Sequence, residues 1–172
     1  MYAVDLLRQQ FQAFHHFLEG TVADVSPEVG QLQPGGTAMP IGAVYVHVVN
    51  SEDRLLNGLV KGEPPLEMTA WAGKLGTSEP APMGPPWDEW AGRVRVDLAV
   101  AREYAQAVYA NTDAYLAGLS AADLDRGLDL SGIGLGQQTV GSLMSLLLWN
   151  AGVHCGEVAT IKGIQGLKGY PV

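Results

Sequence analysis

One cysteine in 172 residues leaves no internal disulfide, and Cys155 has no zinc-finger spacing with any of the four histidines. That count suits a reducing, cytoplasmic setting. Basic residues are scarce as well. Ten Lys plus Arg stand against eighteen Asp plus Glu, a formal charge of -8, and no basic cluster offsets it locally. Such a surface repels a nucleic-acid backbone, so a nucleic-acid partner is not expected. Long hydrophobic runs are missing too. The longest, around Leu146 to Trp149, is far too short to cross a bilayer. The N-terminal stretch meets Arg8 and two glutamines before any apolar run develops, and reads as neither a signal peptide nor a membrane span. The glycines at 132, 134 and 136 lack the lysine or the strand-helix context of a phosphate loop or dinucleotide fingerprint. No nucleophile-elbow motif supports a Ser/His/Asp triad.

What is present is apolar periodicity. Hydrophobic residues make up 47% of the chain, enough for one domain over residues 1–172 with a sizeable core. Leu7, Phe11, Phe14 and Leu18 mark a first helix from Tyr2 to about Leu18. His15 and His16 are adjacent, so one sits at the boundary of its core face and the other is exposed. Residues 20 to 40 form a connection with a short helical turn after Ser26. Thr37 is the expected N-cap of a second helix, Met39 to Val60, whose face is Val44, His47, Val48, Ser51, Leu55 and Leu59.

Lys61 to Asp88 holds six of the ten prolines and is too long for a tight helix connection. It reads as a long crossover that packs down through Trp71, Met83 and Trp87. A third helix runs from Trp87 to about Leu119 and would span ~45 Å if it neither bends nor breaks. Ser120 and Asp123 suggest a capping box, and the glycine-rich stretch Leu128 to Gln138 a small extended excursion or hairpin. Thr139 then caps the last helix, which extends to Lys162. Gly141, Gly152 and Gly156 interrupt that helix, each costing it about 1 kcal/mol relative to alanine, unless another backbone or another subunit approaches there.

The last helix puts Asn150 and His154 on an otherwise apolar stripe, one turn apart, and the second helix puts His47 in a matching place. Buried amides and imidazoles need partners. One answer is a divalent metal held by His47, Asn150 and His154, with Zn, Ni, Cu or Fe suited to the imidazoles and Glu157 or Glu52 available as a carboxylate. The other is a metal-free polar network in which Asn150 donates to a histidine or bridges a water. Cys155 points away from the His154 direction and reads as a packed residue.

These residues carry a resemblance over nearly the whole chain. The histidine within Val44–Leu56 and the helix-four end Trp149–Val158, with Asn150, His154, Gly156 and Glu157, resemble the DinB-like superfamily, which looks related to mycothiol-dependent maleylpyruvate isomerases. The resemblance implies an all-α fold, a four-helix bundle with a long crossover loop between helices two and three. It makes His47 the first metal ligand and His154 the third, and puts Asn150 where a second histidine is expected. It also implies a cytoplasmic protein, often a homodimer, with Zn, Ni or Fe as candidate metals. The activity implied is transfer or isomerisation on a small-molecule substrate with a low-molecular-weight thiol. A noncatalytic, metal-free bundle that binds small molecules or forms dimers is the alternative.

Overall fold

Leu7, Phe11 and Leu18 lie on one face of the first helix, α1 (Ala3–Val22), and all three are buried, with His15 between them. The computed structural model describes residues 3–82, 84 and 87–172, so the part expected of Met83 lies outside the described residues. α1 continues a turn past its predicted end, because Thr21 and Val22 are themselves buried and the Thr21 hydroxyl donates to the Phe17 carbonyl at 2.8 Å. A short helix, α2 (Pro27–Gln31), follows with Ser26 as N-cap, as the sequence suggests.

The second long helix, α3 (Ile41–Asp53), begins after Pro40 and not on a Thr37 cap. The proline ring fixes the entry dihedral, and its carbonyl accepts from Val44 N at 3.1 Å. From Arg54 to Lys61 the winding widens to a π-helix. A π turn holds more residues than an α turn, so the buried row advances by one. Leu56 and Val60 are buried where Leu55 and Leu59 were expected, and the latter two are half-buried.

The crossover is fastened by two consecutive side chains of α3 and its continuation. Asp53, wholly buried, accepts from Leu66 N and Glu67 N at 2.9 Å each, from Asn57 Nδ2 at 2.6 Å and from the Tyr104 hydroxyl at 2.7 Å. Arg54 forks onto Glu67 at 2.5 and 3.0 Å and donates to the carbonyls of Ala81 and Pro82. Trp71 packs at 5.7 Å from the Tyr104 ring, so this loop does lie down on the helices.

The single third helix of the sequence reading is in fact two, α4 (Trp87–Arg93) and α5 (Leu98–Ala117). Between them Val96 pairs with Thr77 of the crossover, and Asp97 N donates to Gly76 O at 2.7 Å. Gly76 has φ +73°, and a Cβ there would lie 2.6 Å from the Asp97 carbonyl oxygen, so glycine is needed for this approach. Asp97 then caps α5 through Ala99 N and Val100 N. Ser120 and Asp123 form the expected capping box. The glycine-rich stretch is an antiparallel hairpin, β1 (Gly127–Leu130) with β2 (Gly136–Thr139), in the register Gly127 to Thr139.

Thr139 caps the last helix, α6 (Val140–Ile164), with Ser142 closing the box. The carbonyl of Leu124 comes within 3.3 Å of a Cβ position on Gly141, which accounts for that glycine, whereas none of the described residues comes within 4 Å of a Cβ position on Gly152. α1 and α3 each pack against both α5 and α6. The core divides into a larger cluster around Tyr45, Trp90 and Tyr104 and a smaller one around Leu56, Leu116 and Leu143. Among the described residues no helix is long and apolar enough to cross a membrane.

Candidate functional site

α3 and α6 pack side by side, and each carries one half-buried imidazole. The rings of His47 and His154 meet edge to face, with centroids 4.7 Å apart at 75°. Trp87, the first residue of α4, contacts His47 in the same manner at 4.5 Å and 85°, and Trp90 supports Trp87 at 4.8 Å. The sequence expects Trp87 to pack the crossover down, where that loop could cover one mouth of a pocket in the bundle. Its one visible signal was an aromatic residue at the point where a proline-rich crossover re-enters a helix.

His154 Nδ1 lies 2.8 Å from Glu157 Oε2. An ionised carboxylate has no proton to donate, so Nδ1 is the donor in this contact. Carboxylates that orient metal-binding imidazoles act in this way. Glu157, one of two carboxylates the sequence offers to complete a metal shell, is thereby engaged in holding His154. His47 Nδ1 is enclosed and has no hydrogen-bond partner among the described residues. Burial, reinforced by the positive charge His154 would carry and by Arg54, pulls the His47 pKa from 6.5 down to about 4. At neutral pH it is therefore an uncharged donor.

Asn150 stands half-buried one turn before His154, and no hydrogen bond joins its amide to either imidazole among the described residues. Glu52 is elsewhere: its oxygens accept from Thr112 at 2.5 Å and from His15 Nε2 at 2.9 Å. Cys155 is buried, its sulfur 3.6 Å from the Thr21 hydroxyl, and burial raises its pKa, as befits a packed thiol. No group of three or more His, Cys, Asp or Glu side chains converges on a common point among the described residues.

The sequence pattern of the DinB superfamily matches residues 6–158, a span that includes His47, Asn150, His154 and Glu157. The chain belongs to the DinB superfamily. A crystal structure described as a conserved protein from Enterococcus faecalis is similar in fold, with a TM-score of 0.81 at 19% identity over 96% of this chain and 99% of that one. No curated protein matches. In this DinB-superfamily chain the two histidines are thus brought together, while the Asn150 amide makes no hydrogen bond to either among the described residues.

Proposed function

We propose that this protein is a four-helix bundle of the DinB type, a single domain over the whole chain, that holds a divalent cation between α3 and α6. His47 and His154 are its main ligands and Asn150 its weak third. The observation that carries the reading is the pair of imidazoles in ring contact, one hydrogen-bonded to Glu157 and the other with an enclosed nitrogen that has no hydrogen-bond partner among the described residues. The donor set suits Zn, Ni or Fe, with an amide oxygen a much poorer third donor than an imidazole.

Such an ion would lower the pKa of a thiol or water, the chemistry of a transferase or isomerase that uses a small thiol. The chain's own residues contribute the setting. Glu157 fixes the His154 ring, burial keeps His47 uncharged, and Trp87 packs against the His47 ring. A metal-free bundle that only binds small molecules is the second reading. The amide at Asn150, in place of a strong ligand, favours it.

Elemental analysis of untagged protein separates the two readings. Bound Zn, Ni or Fe near one equivalent supports the first, and a protein that neither carries metal nor takes it up in titration refutes it. Asn150→His is expected to tighten zinc binding at least tenfold, and an unchanged affinity would mean that the three positions do not converge. We also infer a homodimer in a cytoplasmic setting. α6 leaves Trp149 and Val153 exposed beside Gly152, an apolar strip smooth enough for a second copy of the helix.

A further inference from the structure

Asn50 is wholly buried inside α3, and neither polar atom of its side-chain amide meets a hydrogen-bonding partner among the described residues. His47 Nδ1, three residues earlier, is enclosed and unpartnered in the same sense. So is the indole Nε1 of Trp90, a residue 1% exposed whose ring packs on Trp87, which in turn packs on His47. Folded chains leave few buried polar atoms unanswered, because each gives up a hydrogen bond to water on burial.

The helix brings two of these side chains to one stripe. His47, Asn50 and Arg54 are spaced i, i+3 and i+7, and the winding is still α across them, since Arg54 N donates to Asn50 O. Neighbours on such a stripe carry their Cβ atoms about 5–6 Å apart. Trp87 packs on the first of the three, and the last donates to the carbonyls of Ala81 and Pro82. The stripe therefore faces the end of the crossover and the start of α4, the helix that carries Trp90.

The chemistry of the unpartnered atoms selects their guest. Asn50 presents both a donor and an acceptor, and Trp90 a donor alone. Burial keeps His47 uncharged, and Arg54, the charged member of the stripe, is matched by Glu67, so no ion is called for. A guest here has to donate and accept, carry no charge and be very small. Water meets all three conditions, and it is held where about two to four polar groups converge on it.

We propose that Asn50 anchors an internal water site between α3 and α4, in which an ordered water molecule bridges the Asn50 amide to His47 Nδ1 and accepts from the Trp90 indole. The site stands on these atoms and does not require the cation of the proposed function. It adds one thing to that reading. An imidazole that ligates through one nitrogen gives the other to an outer partner, so with Nδ1 on the water, Nε2 is the His47 atom left for a cation. Asn50 is then a positioning residue, acting through His47.

The test uses the full ¹⁵N-labelled chain in excess chelator, so that a failure of metal binding leaves its outcome untouched. Water-selected ROE spectra identify a bound water, because its cross-peaks are opposite in sign to those of proton exchange. Such cross-peaks are expected at the Asn50 Nδ2 protons and at the Trp90 Nε1 proton. Oxygen-17 relaxation dispersion counts long-lived internal waters, and Asn50→Leu is expected to hold one fewer than wild type and to lose the Trp90 cross-peak. The same variant should move the His47 Nδ1 resonance several-fold more than that of His154. If it does not fold, the wild-type cross-peaks decide alone. No water cross-peak at Asn50 or at Trp90 in the wild type, an equal count of long-lived waters in folded Asn50→Leu, or a His47 Nδ1 resonance that moves no more than that of His154 overturns the proposal.

Discussion

Replacing His47 with phenylalanine tests the electrostatics of the paired imidazoles directly. The aromatic edge against Trp87 is kept, and the titrating group is removed. In the folded chain the His47 pKa lies at about 4, against 6.5 when unfolded. Between these values the unfolded chain binds a proton that the folded chain does not. Stability from this group is therefore complete above pH 6.5 and is lost as the pH falls toward 4. At about 1.36 kcal/mol per pH unit the full gap sets a ceiling of about 3 kcal/mol. The ring is only partly buried, and solvent screening brings the expected loss to roughly 1.5–2 kcal/mol. Urea denaturation in chelator at pH 7, 5.5 and 4.5 measures it. With a urea slope of about 2 kcal/mol/M, the wild-type midpoint should fall about 0.7–1 M further than that of His47→Phe over this range. Equal pH dependence in the two proteins, or an NMR titration of His47 centred at or above 6.5, would refute the reasoning.

Asp53→Ala strands two backbone and two side-chain donors at once. Each buried orphan costs about 1–3 kcal/mol and the losses overlap, so a total near 4 kcal/mol is expected, with faster proteolysis of the crossover. An intact crossover under limited proteolysis would contradict the anchoring role. Gly152→Ala should stabilise the isolated chain by about 1 kcal/mol, or 2–4 °C in Tm, because none of the described residues meets the added methyl. In light scattering the same change should weaken the dimer, and unchanged association would remove α6 from the interface.

The last helix was legible because its apolar spacing and its cap agree, with Thr139 before α6, and Ser26 alone marked the short helix α2. The break between α4 and α5 was hidden by the same logic. Trp90, Val94 and Leu98 keep a four-residue step straight across it, and only Asp97 as a cap marks the restart. The π segment was invisible since a wider turn depends on what the chain packs against and not on its composition. His47 and His154 could be paired because each is a polar residue within an apolar stripe. Neither the His15–Glu52 contact nor the cover provided by Trp87 had such a signal. The first joins residues 37 apart whose types are common on solvated faces, and the second depends on how the crossover folds back.

The widened turn from Arg54 to Lys61 makes chain length, more than residue identity, the sensitive quantity in that region. Deleting one residue there would let ordinary α winding resume and swing everything beyond it by about 100°. The Leu55 and Leu59 row would then face the second core cluster, and the start of the crossover would leave Asp53 from a new direction. Substitutions within the segment are tolerable wherever size is respected. A gain or loss of one residue would disconnect the helix that carries His47 from the loop that covers it.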